Sequence, residues 1–334
     1  MNLKTKITKL HYSSNKDFLY NLLCIPAMFY GIITDIRNFL YDKKILKSYK
    51  IDANVVAVGN LTTGGVGKTP LVAEIAKYYI SKNERTAVIS RGYGGKLSSK
   101  NVNVISDGNT IFYEAKMSGD EPHWYAENIK NLIVITCSSR VKAAKFAVEK
   151  YGVKNIILDD AYQHRKIERD LNICVVDSEK KFGNGKILPQ GPLRENLRGL
   201  KRADKIVVMS KGAKNYDNVI SFANELNAVI CDAGPAEVYN IKTGVNLADN
   251  VTVAAMCAIG QPEQFFNFLT PRFNVVKKIV FDDHHLYSEA DVKNINIPVI
   301  TTEKDAVKLK EFDLDNIYAL KLRLNINCKE LLND

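Results

Sequence analysis

Residues 54–69, NVVAVGNLTTGGVGKT, are the stretch of sequence that decides the fold. Val55 to Val58 are apolar and mostly β-branched, a pattern typical of a strand buried on both faces of a parallel sheet. A glycine-rich loop follows and ends in Gly-Lys-Thr, after which Pro70 opens an apolar run at helical spacing. A strand, a glycine loop and a helix in this order predict a P-loop nucleotide-binding site.

The residue types of this loop suit a nucleotide phosphate. Glycines let successive backbone N–H groups curl around the phosphate, Lys68 can reach the β- and γ-phosphates, and the Thr69 hydroxyl can ligate Mg²⁺. Thr62 stands where the usual pattern G-x-x-x-x-G-K-[ST] has its first glycine, so the alternative is an ordinary glycine-rich turn. The residues predicted to bind nucleotide are Thr62, Thr63, Gly64, Gly65, Val66, Gly67, Lys68, Thr69 and Pro70.

Composition sets the class of protein and the kind of partner. The chain has 334 residues, 46% hydrophobic and 25% charged, which is typical of a folded protein of about two domains. Its six cysteines show no CxxC spacing, which argues against a disulfide framework or a zinc knuckle and favours a reducing setting. The net charge of +10 indicates an anionic partner, which charge alone leaves open between nucleic acid, a membrane surface and a phosphorylated substrate.

The N-terminal segment carries an apolar run, FLYNLLCIPAMFYGII, from Phe18 onward. Its uninterrupted part, Leu22 to Ile33, is shorter than the about 20 residues that a membrane-spanning helix needs. Aromatic residues within it and four lysines between Lys43 and Lys50 favour an amphipathic helix lying in an anionic membrane interface. The alternative is a helix that packs on the body of the protein.

The rest of the first half repeats the pattern of buried strand and helix. TAVIS (residues 86–90), residues 132–136, NIILDD (155–160) and NICVV (172–176) are strand candidates, and the alternation predicts an α/β fold with a doubly wound parallel sheet. Asp159 and Asp160 end one of these strands as in a Walker B element, where an acidic residue holds or orients Mg²⁺. The strand candidates of a second, smaller α/β lobe are residues 205–209, 228–231, 251–256, 275–281 and 299–301.

Several loops carry further candidate residues. RGYGG (91–95) follows a buried strand, at the edge where α/β proteins bind ligands. Asp120 lies near a helix start, where an aspartate is most often a cap. The segment DDHH (282–285) lacks a further ligand cluster, so we expect an acid–base or orienting role for one histidine, or a purely structural one, rather than a zinc site.

The type of nucleotide can also be predicted. Thr63 occupies the place of the signature lysine of ATPases that dimerise around a deviant Walker A motif. The segment TEKD (302–305) lacks the spacing with which GTPases recognise guanine. Both absences favour ATP and a monomeric phosphotransfer site.

Taken in order, GNLTTGGVGKTP, SRGYGG, GDEP, LDDAYQH, GNGKILPQGPLRE, DDHHLY and TTEKDAVKL resemble the tetraacyldisaccharide 4′-kinase family, the lipid A kinases of Gram-negative bacteria. The resemblance covers about residues 17–325. It implies transfer of the ATP γ-phosphate to the 4′-hydroxyl of tetraacyldisaccharide 1-phosphate, giving lipid IVA. Ala161 and Tyr162 stand where many members have glycine and phenylalanine.

The resemblance also implies roles for individual residues. Asp120 is the expected base, with His284 as its partner and His285 as the less favoured choice. Lys68, Asp159 and Asp160 are expected to act in catalysis, with ATP and Mg²⁺ as cofactors and Thr69, Asp159 and Asp160 as the metal ligands. The candidates for nucleotide or lipid-head contacts are Arg91, Tyr93, Arg140, His164, Arg194 and Glu195.

The predicted organisation has three parts. Residues 1–50 form the membrane-contact segment, residues 51–170 with a returning 314–334 form the kinase core, and residues 171–313 form a lobe that closes over the site. The resemblance implies a peripheral (monotopic) monomer on the cytoplasmic face of the inner membrane, with a lipid substrate and an anionic membrane surface as partners and no nucleic acid. The alternatives are a P-loop ATPase that drives a partner protein and a non-catalytic ATP-binding membrane scaffold.

Overall fold

The structure is a computed structural model, and it describes residues 3–13, 18–213, 215–260, 262–282 and 285–334. The strands are β1 (Asn54–Gly59), β2 (Thr86–Ser90), β3 (Asn103–Asp107), β4 (Ile133–Thr136), β5 (Asn155–Asp159), β6 (Leu171–Asp177), β7 (Lys205–Ser210), β8 (Val229–Asn240), β9 (Thr252–Cys257), β10 (Asn274–Val280), β11 (Val299–Thr302) and β12 (Ile317–Asn325). The helices are α1 (Leu3–His11), α2 (Phe18–Leu22), α3 (Cys24–Asp42), α4 (Lys68–Ser81), α5 (Ala115–Ser118), α6 (Asp120–Asn128), α7 (Arg140–Tyr151), α8 (Tyr216–Leu226), α9 (Pro262–Leu269), α10 (Glu289–Val292), α11 (Glu303–Leu309) and α12 (Cys328–Leu331).

The strands form one sheet in the order β10-β9-β11-β12-β8-β7-β6-β1-β5-β2-β4-β3. Neighbouring strands are parallel except at the β8–β12 and β3–β4 pairs. Strand direction therefore reverses between β8 and β12. At this point the larger parallel group, β1, β2 and β4 to β8, meets the smaller parallel group, β9 to β12. The predicted doubly wound α/β sheet with a second, smaller lobe is confirmed.

Strand β1, the first part of the stretch 54–69, lies at the centre of the sheet. Strand β1 lies between β5 and β6, and Val55 to Val58 are almost wholly buried. Helix α4 buries one face, including Leu71, Val72 and Ile75, against the same strands. The predicted strand, loop and helix are therefore present, and they bring the loop to the carboxyl end of the most central parallel strand.

Two strands differ from the sequence prediction. Strand β3 was not predicted, because its sequence NVISD mixes polar and apolar residues and it pairs only with β4 at the edge of the sheet. Strand β8 is longer than predicted and continues through Pro235 to Asn240. It does so by pairing antiparallel with β12, with a register shift beside Pro235.

Helices α2 and α3 expose most of their apolar side chains. Phe18–Asp42 is long and apolar enough to cross a membrane by length and composition, with a mean hydropathy of 1.4. It is longer than the apolar run predicts because Pro26 lies in the first turn of α3, where a proline breaks no hydrogen bond. Only Ala27 and Gly31 of α3 are buried.

The last residues of the chain pack against α4. Leu331 of α12 is buried in the cluster that contains Leu71 and Ile75 of α4. The Asp334 side chain accepts hydrogen bonds from Tyr78 and Lys82 of the same region.

Candidate active site

The glycine-rich loop ends at the N-terminus of α4. Gly67 immediately precedes α4 with φ of 90°, a left-handed conformation that favours glycine. Lys68 and Thr69 are the first two residues of the helix, so their backbone N–H groups lie at the end that favours a phosphate. The loop therefore has the geometry of an anion site.

Lys68 is held by two oxygen atoms. Its Nζ lies 2.9 Å from Asn60 Oδ1 and 3.2 Å from Asp160 Oδ1. Asn60 is fully buried, and its amide nitrogen donates to the Thr62 carbonyl oxygen at 2.7 Å. Sequence reasoning missed Asn60, although a polar residue directly after a buried parallel strand was the available signal.

Asp160 forms ion pairs with two cationic side chains, Lys68 and Arg194. Arg194 donates to both of its carboxylate oxygens, at 2.9 and 3.0 Å. Burial by itself raises the pKa of Asp160, but the charges of Lys68 and Arg194 outweigh it and lower the pKa to about 2. Its φ of 47° makes Asp160, and not Ala161, the left-handed residue of this turn.

Asp159 and Glu121 form a second, more anionic group. Asp159 is 2% exposed and accepts a hydrogen bond from Tyr125 at 3.1 Å. Burial, followed by the negative charges of Glu121 and Asp160, raises the pKa of Asp159 to about 7. Glu121 was not predicted as a site residue, yet its carboxylate lies 3.4 Å from the Thr69 hydroxyl.

Asp120 opens α6 and is ion-paired with α11. Lys308 Nζ lies 2.9 Å from Asp120 Oδ2 and 3.1 Å from the carbonyl oxygen of His285. The His285 ring stacks on Phe281, and its Nε2 lies 3.3 Å from Asp291. His284, the predicted partner of Asp120, lies outside the described residues.

The loop RGYGG packs against the start of α6. Gly119 has φ of 93°, and a Cβ atom there would lie 2.6 Å from the Tyr93 carbonyl oxygen. This close contact brings Arg91 and Tyr93, both exposed, next to the segment that carries Asp120. The Tyr93 side chain is 73% exposed.

Arg140 is buried beneath the site instead of facing solvent, and His164 is half-buried. Arg140 is 4% exposed and donates to the carbonyl oxygens of Cys137 and Asp159. Burial, together with the positive charges of Arg140 and Arg169, lowers the pKa of His164 to about 4. The Arg140 side chain therefore supports the turn that presents Asp159.

Glu195 is likewise buried and organises its surroundings. It is 2% exposed and accepts two hydrogen bonds from Arg202, one from Gln163 and one from Asn38 of α3. Gln163 also donates to the Asn60 carbonyl oxygen at 2.9 Å. Glu195 therefore links the N-terminal helix to the segment that holds Lys68.

The donor set suits Mg²⁺. No cluster of three or more potential metal-ligating side chains occurs in the part of the chain that the structure describes. Mg²⁺ needs only one or two carboxylates, with phosphates and water completing its octahedral shell. Asp159 and Glu121, whose negative charges lie close together, and the Thr69 hydroxyl are the groups that could hold the ion, whereas Asp160 already pairs with two cationic side chains.

Comparison with known proteins identifies the family. The family model of tetraacyldisaccharide-1-P 4′-kinase matches residues 19–334. The tetraacyldisaccharide 4′-kinase of Geobacter sulfurreducens is 36% identical over 86% of this chain and 84% of its own length, and that of Francisella tularensis subsp. novicida is 34% identical over 96% and 99%.

A solved structure agrees with these relatives. LpxK from Aquifex aeolicus, solved in complex with ATP, superposes with a TM-score of 0.76 at 29% identity, covering 94% of this chain and 97% of that one. The family match spans all twelve strands of the sheet and every described residue of the site. The chain therefore belongs to the tetraacyldisaccharide 4′-kinase family.

Proposed function

We propose that this protein is a lipid kinase that transfers the γ-phosphate of ATP to the 4′-hydroxyl of tetraacyldisaccharide 1-phosphate and forms lipid IVA in lipid A biosynthesis. The observation that carries the proposal is the contact between Thr69, in the first turn of α4 after the glycine-rich loop, and Glu121 of the GDEP segment. Because Asp120 directly precedes Glu121, this contact brings a carboxylate suited to act as base next to the phosphate-binding loop.

Binding of the nucleotide falls to the loop and the N-terminus of α4. The N–H groups at this end favour the negative charge of the phosphates, and Lys68 supplies a cation aimed at the same position. Phosphoryl transfer depends mostly on positioning and charge neutralisation. Asn60 and Asp160 contribute to this positioning because both contact the Lys68 ammonium group and fix its place.

Asp120 accepts the proton of the acceptor hydroxyl as the new phosphate ester bond forms. A sugar hydroxyl is a weak nucleophile, so a carboxylate within hydrogen-bond distance assists its attack. Lys308 orients this carboxylate through the ion pair between them. His284 is proposed as the partner of Asp120, because it belongs to the segment whose next residue, His285, contacts Lys308.

Thr69, Glu121 and Asp159 are the residues we propose to hold Mg²⁺. When bound there, the ion would supply positive charge to neutralise the charge that develops on the phosphate during transfer. We do not assign Asp160 as a metal ligand; its proposed role is to position Lys68 and Arg194 through ion pairs. Arg194, Arg91 and Tyr93 are proposed contacts for the phosphates or the lipid head group. Arg140 and Glu195 are buried, so we propose that they position the residues around Asp159 and Gln163 instead of meeting a ligand.

The N-terminal segment is the proposed membrane contact. Ile25, Phe29, Ile33 and Ile36 of α3 are each more than half exposed. An apolar face of this kind, followed by lysines, suits a helix in an anionic interface. We propose peripheral binding at the cytoplasmic face of the inner membrane, by a monomer whose 171–313 lobe closes toward the 51–170 core.

The decisive experiment is transfer of label from [γ-³²P]ATP to tetraacyldisaccharide 1-phosphate in mixed micelles. Labelled lipid is expected from the wild-type protein, with losses of about 10² or more in rate for Lys68→Met and Asp120→Asn. The matched controls are Lys77→Met, on the exposed face of the same helix, and Asp217→Asn in the first turn of α8. ATP hydrolysis without labelled lipid would favour the partner-driven ATPase, and intact bound ATP would favour the scaffold.

A further inference from the structure

Tyr12, from the N-terminal segment, reaches the nucleotide-binding loop. Its hydroxyl donates to the Thr63 carbonyl oxygen at 3.3 Å. Burial raises the pKa of Tyr12, so the hydroxyl keeps the proton that it donates. The family model begins at residue 19, so Tyr12 lies outside the part of the chain that it matches.

The residues beside Tyr12 are anchored to the protein. Leu10 and His11 are 6% and 5% exposed. His11 Nε2 donates to the Pro189 carbonyl oxygen at 3.0 Å, and the Asn184 backbone N–H donates to the His11 carbonyl oxygen at 2.8 Å. The Asn184 side chain adds a hydrogen bond to the Leu10 carbonyl oxygen. Tyr12 is therefore held in place by its neighbours and not only by its own contact.

The segment that anchors Tyr12 also holds the nucleotide loop. The Pro192 carbonyl oxygen accepts from the Thr63 N–H at 2.8 Å, and the Arg194 N–H donates to the Leu61 carbonyl oxygen at 2.7 Å. Residues 10–12 and the start of the loop thus share one wall, formed by residues 184–194. A displacement of residues 10–12 would therefore be transmitted through this wall to the start of the loop.

A second side chain binds the loop in the same way. Lys211 Nζ donates to the Gly65 carbonyl oxygen at 3.0 Å and lies 3.4 Å from Asp177. In a trans peptide the carbonyl group and the following N–H point in opposite directions. Fixing the carbonyl groups of Thr63 and Gly65 therefore fixes the directions of the N–H groups of Gly64 and Val66, which are the groups that a phosphate would meet.

We propose that Tyr12 is a positioning residue of the ATP-binding loop: its hydrogen bond to Thr63 sets the direction of the Gly64 N–H before the nucleotide arrives. The proposal rests on ATP binding by this loop, not on the identity of the acceptor. It makes the segment before the membrane helices part of the nucleotide site.

Direct ATP binding by the full chain in detergent micelles, measured by calorimetry with MgCl₂ and no lipid substrate, tests the proposal. Tyr12→Phe keeps the ring and removes only the hydroxyl. We expect the Kd for ATP to rise about three- to tenfold, which converts to about 0.6–1.4 kcal/mol. Hydrogen exchange in the peptide covering residues 62–67 should become faster, while the melting temperature stays near that of the wild type.

Tyr216→Phe is the matched control, because Tyr216 also donates its hydroxyl to an acceptor, Asp232, away from the loop. An ATP Kd for Tyr12→Phe within twofold of the wild type, or an equal loss in Tyr216→Phe, would overturn the proposal. Since the experiment contains no lipid, a protein that binds ATP but fails to phosphorylate the lipid would contradict the proposed function and leave this test intact.

Discussion

Lys308 Nζ lies 2.9 Å from Asp120 Oδ2, and this ion pair joins the first turn of α6 to α11, residues that are almost 190 positions apart in the chain. Both side chains are largely buried, at 11% and 14% exposure. The same ammonium group reaches the backbone of the DDHH segment at His285. Lys308 thus contacts both Asp120, the proposed base, and the DDHH segment, which contains the proposed partner His284.

Replacing Lys308 with methionine should lower kcat at least about tenfold, because the Asp120 carboxylate loses the group that orients it. Lys308→Arg should recover part of the loss, since it keeps the charge. Steady-state phosphorylation of tetraacyldisaccharide 1-phosphate measures both variants. The control is Lys310→Met, which removes a second ion pair to the same helix, with Glu127, away from Asp120. Equal losses for the two methionine variants would mean that only helix packing is disturbed.

Asn60→Ala should damage ATP binding and stability together. The buried amide serves Lys68 and the Thr62 carbonyl group, so its removal leaves buried polar atoms without partners. We expect the free energy of unfolding to fall by about 1–3 kcal/mol and kcat/KM for ATP to fall at least about tenfold. Urea unfolding and ATP kinetics measure these quantities.

Asn54→Ala is the matched control for Asn60→Ala. Asn54 lies at the opposite end of β1 and donates to Asn155 and Tyr79. Its removal should lower stability while kcat/KM for ATP stays near the wild-type value. A comparable kinetic loss in Asn54→Ala would show that Asn60 acts only through the stability of the strand.

The central fold could be predicted from sequence because its signals are local and strong. Val55 to Val58 have the composition of a buried strand, and the glycines and Lys68 follow at fixed spacing. The edge strand β3 and the long β8 could not be predicted in the same way. Their extents depend on pairing with β4 and β12, which are distant in sequence.

The site residues also fall into those with a local sequence signal and those that depend on tertiary packing. Lys68, Thr69, Asp159 and Asp160 were identifiable because each follows a strand or opens a helix. The contact of Lys308 with Asp120 and the burial of Glu195 come from tertiary packing, which no spacing in the sequence records. Arg140 was predicted as a ligand contact, but a charged residue at a helix start has the same local pattern whether it faces a ligand or, as here, the protein interior.

Polar substitutions on the exposed face of α3 should weaken binding to membranes. Phe29, Ile33 and Ile36 are 59%, 64% and 54% exposed and lie at helical spacing. Changing all three to serine should lower partitioning onto phosphatidylglycerol-containing vesicles at least about tenfold, because much of the apolar surface available to the lipid is lost. Sedimentation with vesicles measures this.

The control for α3 is Ile220→Ser, a change at a 40% exposed isoleucine of α8. It should leave vesicle binding unchanged. Unaltered binding of the triple serine variant would contradict the proposed membrane contact, provided that its ATP affinity shows that the protein is folded.

Glu303→Gln should stabilise the protein above neutral pH. Burial raises the pKa of Glu303 to about 7 in the folded chain, although Lys321 and Tyr239 oppose the shift. The folded state therefore binds its proton more tightly than the unfolded state, and stability falls as pH rises from the unfolded pKa of about 4.5 to the folded value. Glutamine removes this cost, so the variant should be more stable than wild type by about 2–3 kcal/mol at pH 8, and by less than about 1 kcal/mol at pH 5. Urea unfolding at the two pH values measures the difference, with the exposed Glu311→Gln as a control that should show little difference at either. An equal stability gain at pH 5 and pH 8 would mean that packing, and not ionisation of Glu303, is responsible.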